Sequence, residues 1–244
     1  MATLYIVGTP IGNLEDITLR AIRVLKEVDL ILCEDTRITK RLLARYKIST
    51  PTESFHARSE KSKVHKVIKL LEEGKNVALV TDAGTPTISD PGVLLVSQIK
   101  NRFSKGTPWT ETNPRDALGN GGEVKIVPIP GPSAVITALS ASGLPSDEFL
   151  FLGFLPHKKG RETLFKEIAE TKRTVVFYES PHRIMKTLES LNKHIPDRKV
   201  VIARELTKMY EEFVSGAPTE LLECFNKNKD KIRGEFVVIV GRKI

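Results

Sequence analysis

Two cysteines are all that this 244-residue sequence contains, Cys33 in an apolar run and Cys224 in a helix-like stretch, and no CxxC pair occurs. A cysteine-held metal and dithiol redox chemistry therefore lack their usual ligands, and both thiols read as reduced and structural. No segment approaches the roughly 20 apolar residues that a membrane span needs. The opening MATLYIVGTP is too short an apolar run for a secretion signal, so a cytoplasmic protein without a membrane role is expected. The glycine-rich turn that follows the first apolar run, GTPIGN, is neither GxGxxG nor GxxxxGK[ST], which argues against a Rossmann dinucleotide site or a P-loop.

The composition, 40% hydrophobic and 28% charged, is that of an ordinary globular protein, and the length allows one or two domains. Lys and Arg together number 38 against 30 Asp and Glu, giving a formal charge of +8. Such an excess favours an anionic partner such as nucleic acid, although charge alone does not separate RNA from a merely basic surface.

Short apolar runs recur between amphipathic stretches: Leu4 to Val7, Leu30 to Cys33, Val77 to Thr81 and Lys125 to Ile129. Between the first two, Ile17, Leu19, Ala21, Ile22, Val24 and Leu25 fall mostly at helical spacing, with Asp16 as the expected cap. The stretch 62–73 puts Val64, Val67, Ile68, Leu70 and Leu71 on one helical face before Gly74 stops it. This alternation is the rhythm of an α/β fold. Residues 101–122, rich in Gly, Pro, Asn and Thr, read as a long surface loop. From Phe149 a second series begins, with strands expected at Thr174 to Tyr178, Lys199 to Ala203 and Glu235 to Gly241, and helices at Arg183 to Leu191 and Thr219 to Phe225. Two α/β domains are expected, one over 1–146 and one over 147–244.

Several turns carry residues suited to chemistry. In GTPIGN, Gly8, Pro10 and Gly12 let the backbone approach a ligand. DAGTPTISDPG follows the Val77 strand, where open α/β sheets bind ligands. CEDTR ends a strand with Glu34, Asp35 and Arg37; carboxylate and guanidinium together can orient a hydroxyl and hold a phosphate, and the competing reading is a helix start capped by Asp35 or Thr36. His56 is a candidate base because its neutral form accepts a proton near pH 7. Ser133 is equally a plain helix cap. Lys158, Lys159, Arg161, Arg183 and Arg204 fall near strand ends or in loops, as phosphate contacts require, with structural ion pairs to Glu179 and Glu205 as the competing reading for the last two.

Taken in order, LYIVGTPIGNLEDITLRA, CEDTR, SFH, LVTDAGTPTISDPG, PIPGPSA, GFLP, YESPHR and ARELTK resemble the tetrapyrrole methylase superfamily. Within it they resemble the branch that 2'-O-methylates a cytidine in the decoding centre of 16S ribosomal RNA. The resemblance spans nearly the whole chain except 101–122. It implies two α/β domains with S-adenosyl-L-methionine in the cleft between them, usually a homodimer, no metal, and the small ribosomal subunit or its 16S RNA as partner. The residues it assigns to the cofactor are Pro10, Ile11, Gly84, Thr85, Ile88, Ser133, Ala134, Tyr178, Ala203 and Glu235. For the hydroxyl proton, Asp35, Glu34 and His56 are the candidates in that order, with Arg37, Lys158, Lys159, Arg161, Arg183 and Arg204 towards RNA. Thr9 and Pro10 replace a more glycine-rich pattern found in other tetrapyrrole methylases, which points to the ribosomal branch. Methylation of a small molecule on the same fold and a non-catalytic ribosome-binding factor are the alternatives; cofactor binding without RNA methylation marks the first, and subunit binding without cofactor affinity the second.

Overall fold

The computed structural model describes residues 1–55, 60–90, 92–103 and 124–243. His56 and most of the 101–122 loop lie outside the described residues. The chain divides into two compact units, Met1–Pro10 with Leu14–Pro132 and Ile11–Asn13 with Ser133–Ile244. This division counts the helix that follows Ser133 with the second unit, whereas the boundary expected at 146/147 counts it with the first.

In the first unit, β1 (Ala2–Val7), α1 (Leu19–Glu27), β2 (Leu30–Cys33), α2 (Thr36–Arg45), β3 (Thr52–Ser54), α3 (Glu60–Glu72), β4 (Val77–Leu79), α4 (Gly92–Phe103) and β5 (Val124–Ile129) follow one another. The strands form one sheet in the order β3-β2-β4-β1-β5, and every pairing is parallel. Side chains on a strand alternate between faces, and here both faces are buried, as a parallel sheet requires. Leu4, Ile6, Leu32, Val77 and Leu79 pack with Val64, Val67 and Leu71 of α3 and Leu95 and Ile99 of α4. Their neighbours Val7, Ile31, Cys33 and Ala78 pack with Ala21, Val24 and Leu25 of α1 and Leu42 and Leu43 of α2.

Two local expectations change. The cap of α1 is Thr18, whose hydroxyl accepts the Ala21 amide, and Asp16 instead closes a 3-10 turn, Leu14–Asp16, ahead of it. Thr18 wins because it sits directly before the first helical residue, where a side-chain oxygen reaches a free amide of the first turn. Helix α4 also runs to Phe103, into the segment read as loop, since Ile99 is buried and Arg102 is paired with Glu72.

In the second unit, α5 (Ala134–Ala141), β6 (Phe149–Phe154), α6 (Arg161–Glu170), β7 (Thr174–Glu179), α7 (Ile184–His194), β8 (Val200–Arg204), β9 (Glu212–Gly216), α8 (Pro218–Lys227) and β10 (Phe236–Val240) build a mixed sheet in the order β6-β7-β10-β8-β9. Strand β10 is antiparallel to both β7 and β8, so these two point the same way, and β6 is parallel to β7. Phe165, Leu188, Leu191, Leu221 and Phe225 from α6, α7 and α8 cover one face over Val175, Phe177, Ile202 and Val238. Val135, Ala138 and Leu139 of α5, with Ile11 and Leu206, cover the other over Val176, Val201, Ala203, Val237 and Ile239.

Candidate functional site

Because the first sheet is wholly parallel, the turns after all its strands leave from one edge, and those after the adjacent strands β4, β1 and β5 are joined by their backbones. Thr9 and Gly84 form an isolated bridge, each amide donating to the other's carbonyl at 2.9 and 3.1 Å. The buried Thr9 hydroxyl donates to the Thr81 carbonyl at 3.0 Å and lies 3.3 Å from that of Gly84. The Thr85 hydroxyl donates to the Pro132 carbonyl at 3.0 Å, tying the β4 turn to the β5 turn. Gly8 and Gly131 meet backbone to backbone, so a Cβ on either would lie 2.8 Å from the other's Cα. Only glycine permits that approach.

The β4 turn is strained and firmly held. Thr87 and Ser89 have φ of 75° and 63°, a left-handed conformation costly for non-glycine residues. The Asp90 carboxylate accepts the Thr87 and Gly92 amides, both at 2.7 Å, and burial raises its carboxyl above the usual range despite these donors. Between the two strained residues Ile88 remains 47% exposed. A rigid turn that keeps an apolar side chain in solvent at the carboxyl edge of a parallel sheet has the form of a ligand-binding turn.

CEDTR joins this edge through β2, the neighbour of β4. The Glu34 carboxylate accepts the Thr81 hydroxyl at 2.9 Å, and the Asp35 amide donates to the Asp82 carboxylate at 3.0 Å. Asp35 is the cap of α2, accepting the Arg37 amide at 2.8 Å, and its carboxylate also pairs with the Arg37 guanidinium at 2.6 Å. The side-chain hydrogen bond from Arg37 is the largest reason that its pKa falls to about 2. Asp35 is thus at once the helix cap and the partner of the Arg37 guanidinium. Arg37 itself is largely exposed.

In the second unit the ends of β6, β7 and β8 share an edge with the start of β10. Ala134 and Tyr178 pack on the cluster that contains Ile11 and Ala203, with Ser133 at the cap position of α5 but making no side-chain cap bond. Burial raises the Tyr178 hydroxyl pKa, and the ring packs on Phe151 and Phe154 with centroids 5.1 and 5.3 Å away. Ala203 is sealed between β9 and β10. Glu235 is exposed and pairs with Lys208 at 3.1 Å. The turn after β8 is strained like the β4 turn, with φ of 50° at Glu205 and 65° at Thr207. Thr207 accepts the Asn13 amide at 3.0 Å, anchoring the GTPIGN segment's end in this unit.

The basic residues separate into two groups. Lys158 and Lys159 are exposed in the turn before α6. Arg161 and Arg183 are mostly buried and bind Glu179, and Arg204 is 7% exposed and bonded to Glu212. Arg183 thus forms the ion pair to Glu179 that the competing reading named, Arg204 pairs with Glu212 rather than Glu205, and Arg161 shares Glu179, so all three guanidiniums are engaged within the fold. Thr81, Asp82, Asp90 and Thr207 were not singled out from sequence. The left-handed residues at 87, 89, 205 and 207 leave no sequence signal, since Thr, Ser and Glu do not announce a positive φ.

Similarities to known proteins follow the same segments. The sequence model of the tetrapyrrole (corrin/porphyrin) methylases matches residues 3–107 and 115–222. A protein of Thermotoga maritima named ribosomal RNA small subunit methyltransferase I is 46% identical over 243 residues, covering 100% of both chains. One of the same name from Bacillus subtilis is 45% identical, covering 98% of this chain and 75% of its own length. Among solved structures, uroporphyrin-III C-methyltransferase from Thermus thermophilus complexed with S-adenosyl homocysteine superposes with a TM-score of 0.60 at 18% identity, covering 98% of this chain and 97% of that one.

Proposed function

The chain belongs to the tetrapyrrole methylase family, and from that premise we propose that it methylates the ribose 2'-hydroxyl of a cytidine in the decoding centre of 16S ribosomal RNA, using S-adenosyl-L-methionine. The observation that carries this reading is the full-length 46% identity to a protein named for ribosomal RNA methylation. The basic charge of +8 and the exposed Lys158 and Lys159 suit an RNA substrate.

The residues present fit the methyl donor. The three joined turns of the first unit offer main chain at close quarters where Gly8 and Gly131 leave room, and the exposed Ile88 offers apolar surface to an adenosine or methionine carbon chain. Pro10, Ile11, Gly84, Thr85, Ile88, Ser133, Ala134, Tyr178, Ala203 and Glu235 are the residues proposed to hold it. When bound, S-adenosyl-L-methionine supplies an activated methyl group on a sulfonium. The chain's own work is to hold the ribose oxygen in line with that carbon and to take its proton. For the proton we place Glu34 ahead of Asp35. A carboxylate with a pKa near 2 and a guanidinium already on it is a weak base, whereas Glu34 reaches the β4 turn without such a partner among its described bonds. Asp35 and Arg37 then orient the RNA backbone, and His56 stays a candidate. A homodimer acting on the small subunit in the cytoplasm completes the proposal, with light scattering as its check.

The test is transfer of labelled methyl to small subunits lacking the mark, with the modified nucleoside mapped by mass spectrometry. A 2'-O-methylcytidine in the decoding region is expected. Transfer to a tetrapyrrole but not to the subunit would overturn the reading.

A further inference from the structure

Glu179 is the last residue of β7, its side chain fully buried, and it faces two guanidiniums. Arg183 Nε lies 2.7 Å from Oε1 and Arg161 Nη2 lies 3.8 Å from Oε2. The remaining capacity of the carboxylate is filled by the Ser180 amide at 2.8 Å and the Thr187 hydroxyl at 2.6 Å. Sealing a buried carboxylate needs one cation. The second arginine and the direction both take are explained by what else they hold.

Arg183 Nη1 donates to the Leu155 carbonyl at 2.8 Å, and Arg161 Nη1 donates to that of Pro156 at 3.3 Å. These are consecutive carbonyls, just past the end of β6 and just ahead of His157, Lys158 and Lys159. Arg161 also donates to Thr187 at 2.7 Å and lies over the Phe165 ring at 5.0 Å, which fixes its own geometry. At the far side of the turn Gly160, with φ of 81°, starts α6, and the Arg161 amide returns to the Lys158 carbonyl at 3.2 Å. The four exposed residues 157–160 are thus gripped at both ends.

We infer that Glu179 is a positioning residue for RNA: through Arg161 and Arg183 it fixes the Leu155–Pro156 carbonyls and so presents Lys158 and Lys159 in a preset arrangement to the phosphate backbone. The inference rests on the proposed RNA activity. A preset turn loses less conformational freedom on binding than a loose one, so its lysines bind more tightly for the same charge.

A double-mutant cycle tests it, reading KM for the small subunit, kcat, cofactor affinity and thermal midpoint. The Lys158→Ala/Lys159→Ala variant is expected to raise KM roughly tenfold. Glu179→Gln, which keeps acceptor capacity but not charge, is expected to raise KM severalfold while kcat at saturating RNA and cofactor affinity hold. The triple variant should have the KM of the lysine variant alone, because lysines already absent gain nothing from positioning. A Glu179 whose role is only structural lowers the thermal midpoint and multiplies with the lysine effect; that outcome overturns the inference, as does a folded Glu179→Gln with unchanged KM. If Glu179→Gln fails to fold, Arg161→Lys, which keeps the charge but not the two-armed grip, enters the same cycle with the same expectations. An unchanged KM in the lysine variant of an active enzyme would overturn the role of the turn, whereas absence of methyl transfer by the unaltered protein would overturn the underlying activity.

Discussion

At Gly8 and Gly131 a single hydrogen each is what allows two turns to meet. Adding a methyl group at either brings carbon to within 2.8 Å of main chain that has no flexible end to move aside. Gly131→Ala is therefore expected to cost about 1–3 kcal/mol in urea unfolding and to weaken S-adenosyl-L-methionine binding, measured by calorimetry. Asp35 allows a pH test. Its folded pKa of about 2 lies below the roughly 3.9 of an unfolded chain, so it contributes stability above about pH 4 that is lost as pH falls through 2. The gap in thermal midpoint between the protein and Asp35→Asn is accordingly expected to be constant from pH 5 to 8 and to close between pH 4 and 2. Methyl transfer by the same variant should keep the wild-type pH profile, since this carboxylate does not titrate in the working range; a lost limb would return Asp35 to the role of base.

Among the elements, the short turn after β1 carries more than its length suggests. Thr9 reaches Thr81 and Gly84 of the β4 turn with its hydroxyl and Gly84 again with its backbone. Thr9→Val keeps the shape but takes the hydroxyl donor from the buried Thr81 carbonyl, so a loss of about 1–2 kcal/mol is expected. Because the β4 turn would lose its lateral support, cofactor affinity should fall more than stability alone accounts for; equal losses in Thr9→Val and in a core variant of matched stability would show that the turn needs no such support. The second unit repeats the principle with charge: Arg161 and Arg183 bind the end of β6 to that of β7. Position near Glu179 in sequence gave the hint of an ion pair for Arg183, whereas Arg161 had no such signal.

For the molecule as a whole, the excess of 38 basic over 30 acidic residues makes association with RNA depend on salt. Many of these charges are used internally, including Arg161, Arg183 and Arg204, so the slope of log affinity against log salt should reflect only exposed lysines and arginines such as Lys158, Lys159 and Arg37. Lys158→Ala should lower that slope by about one, whereas Arg204→Ala should leave it unchanged and lower stability instead. A filter-binding series across salt concentrations measures both.

Apolar runs and helical spacing made β1, β2, β4 and β5 legible, with α1, α3 and most of the second unit, because a strand buried on both faces has to be apolar along its length. The motifs at the strand ends were legible for the same reason: a run that stops marks a turn. The polar three-residue β3 and the half-exposed edge strand β9 carry no such signal, and neither were read. Strand order, the Gly8–Gly131 contact, the left-handed Thr87 and Ser89 and the inward use of Arg161, Arg183 and Arg204 were decided by tertiary structure alone. Each depends on what a residue meets from a distant part of the chain, and local sequence fixes only what it would prefer before that meeting.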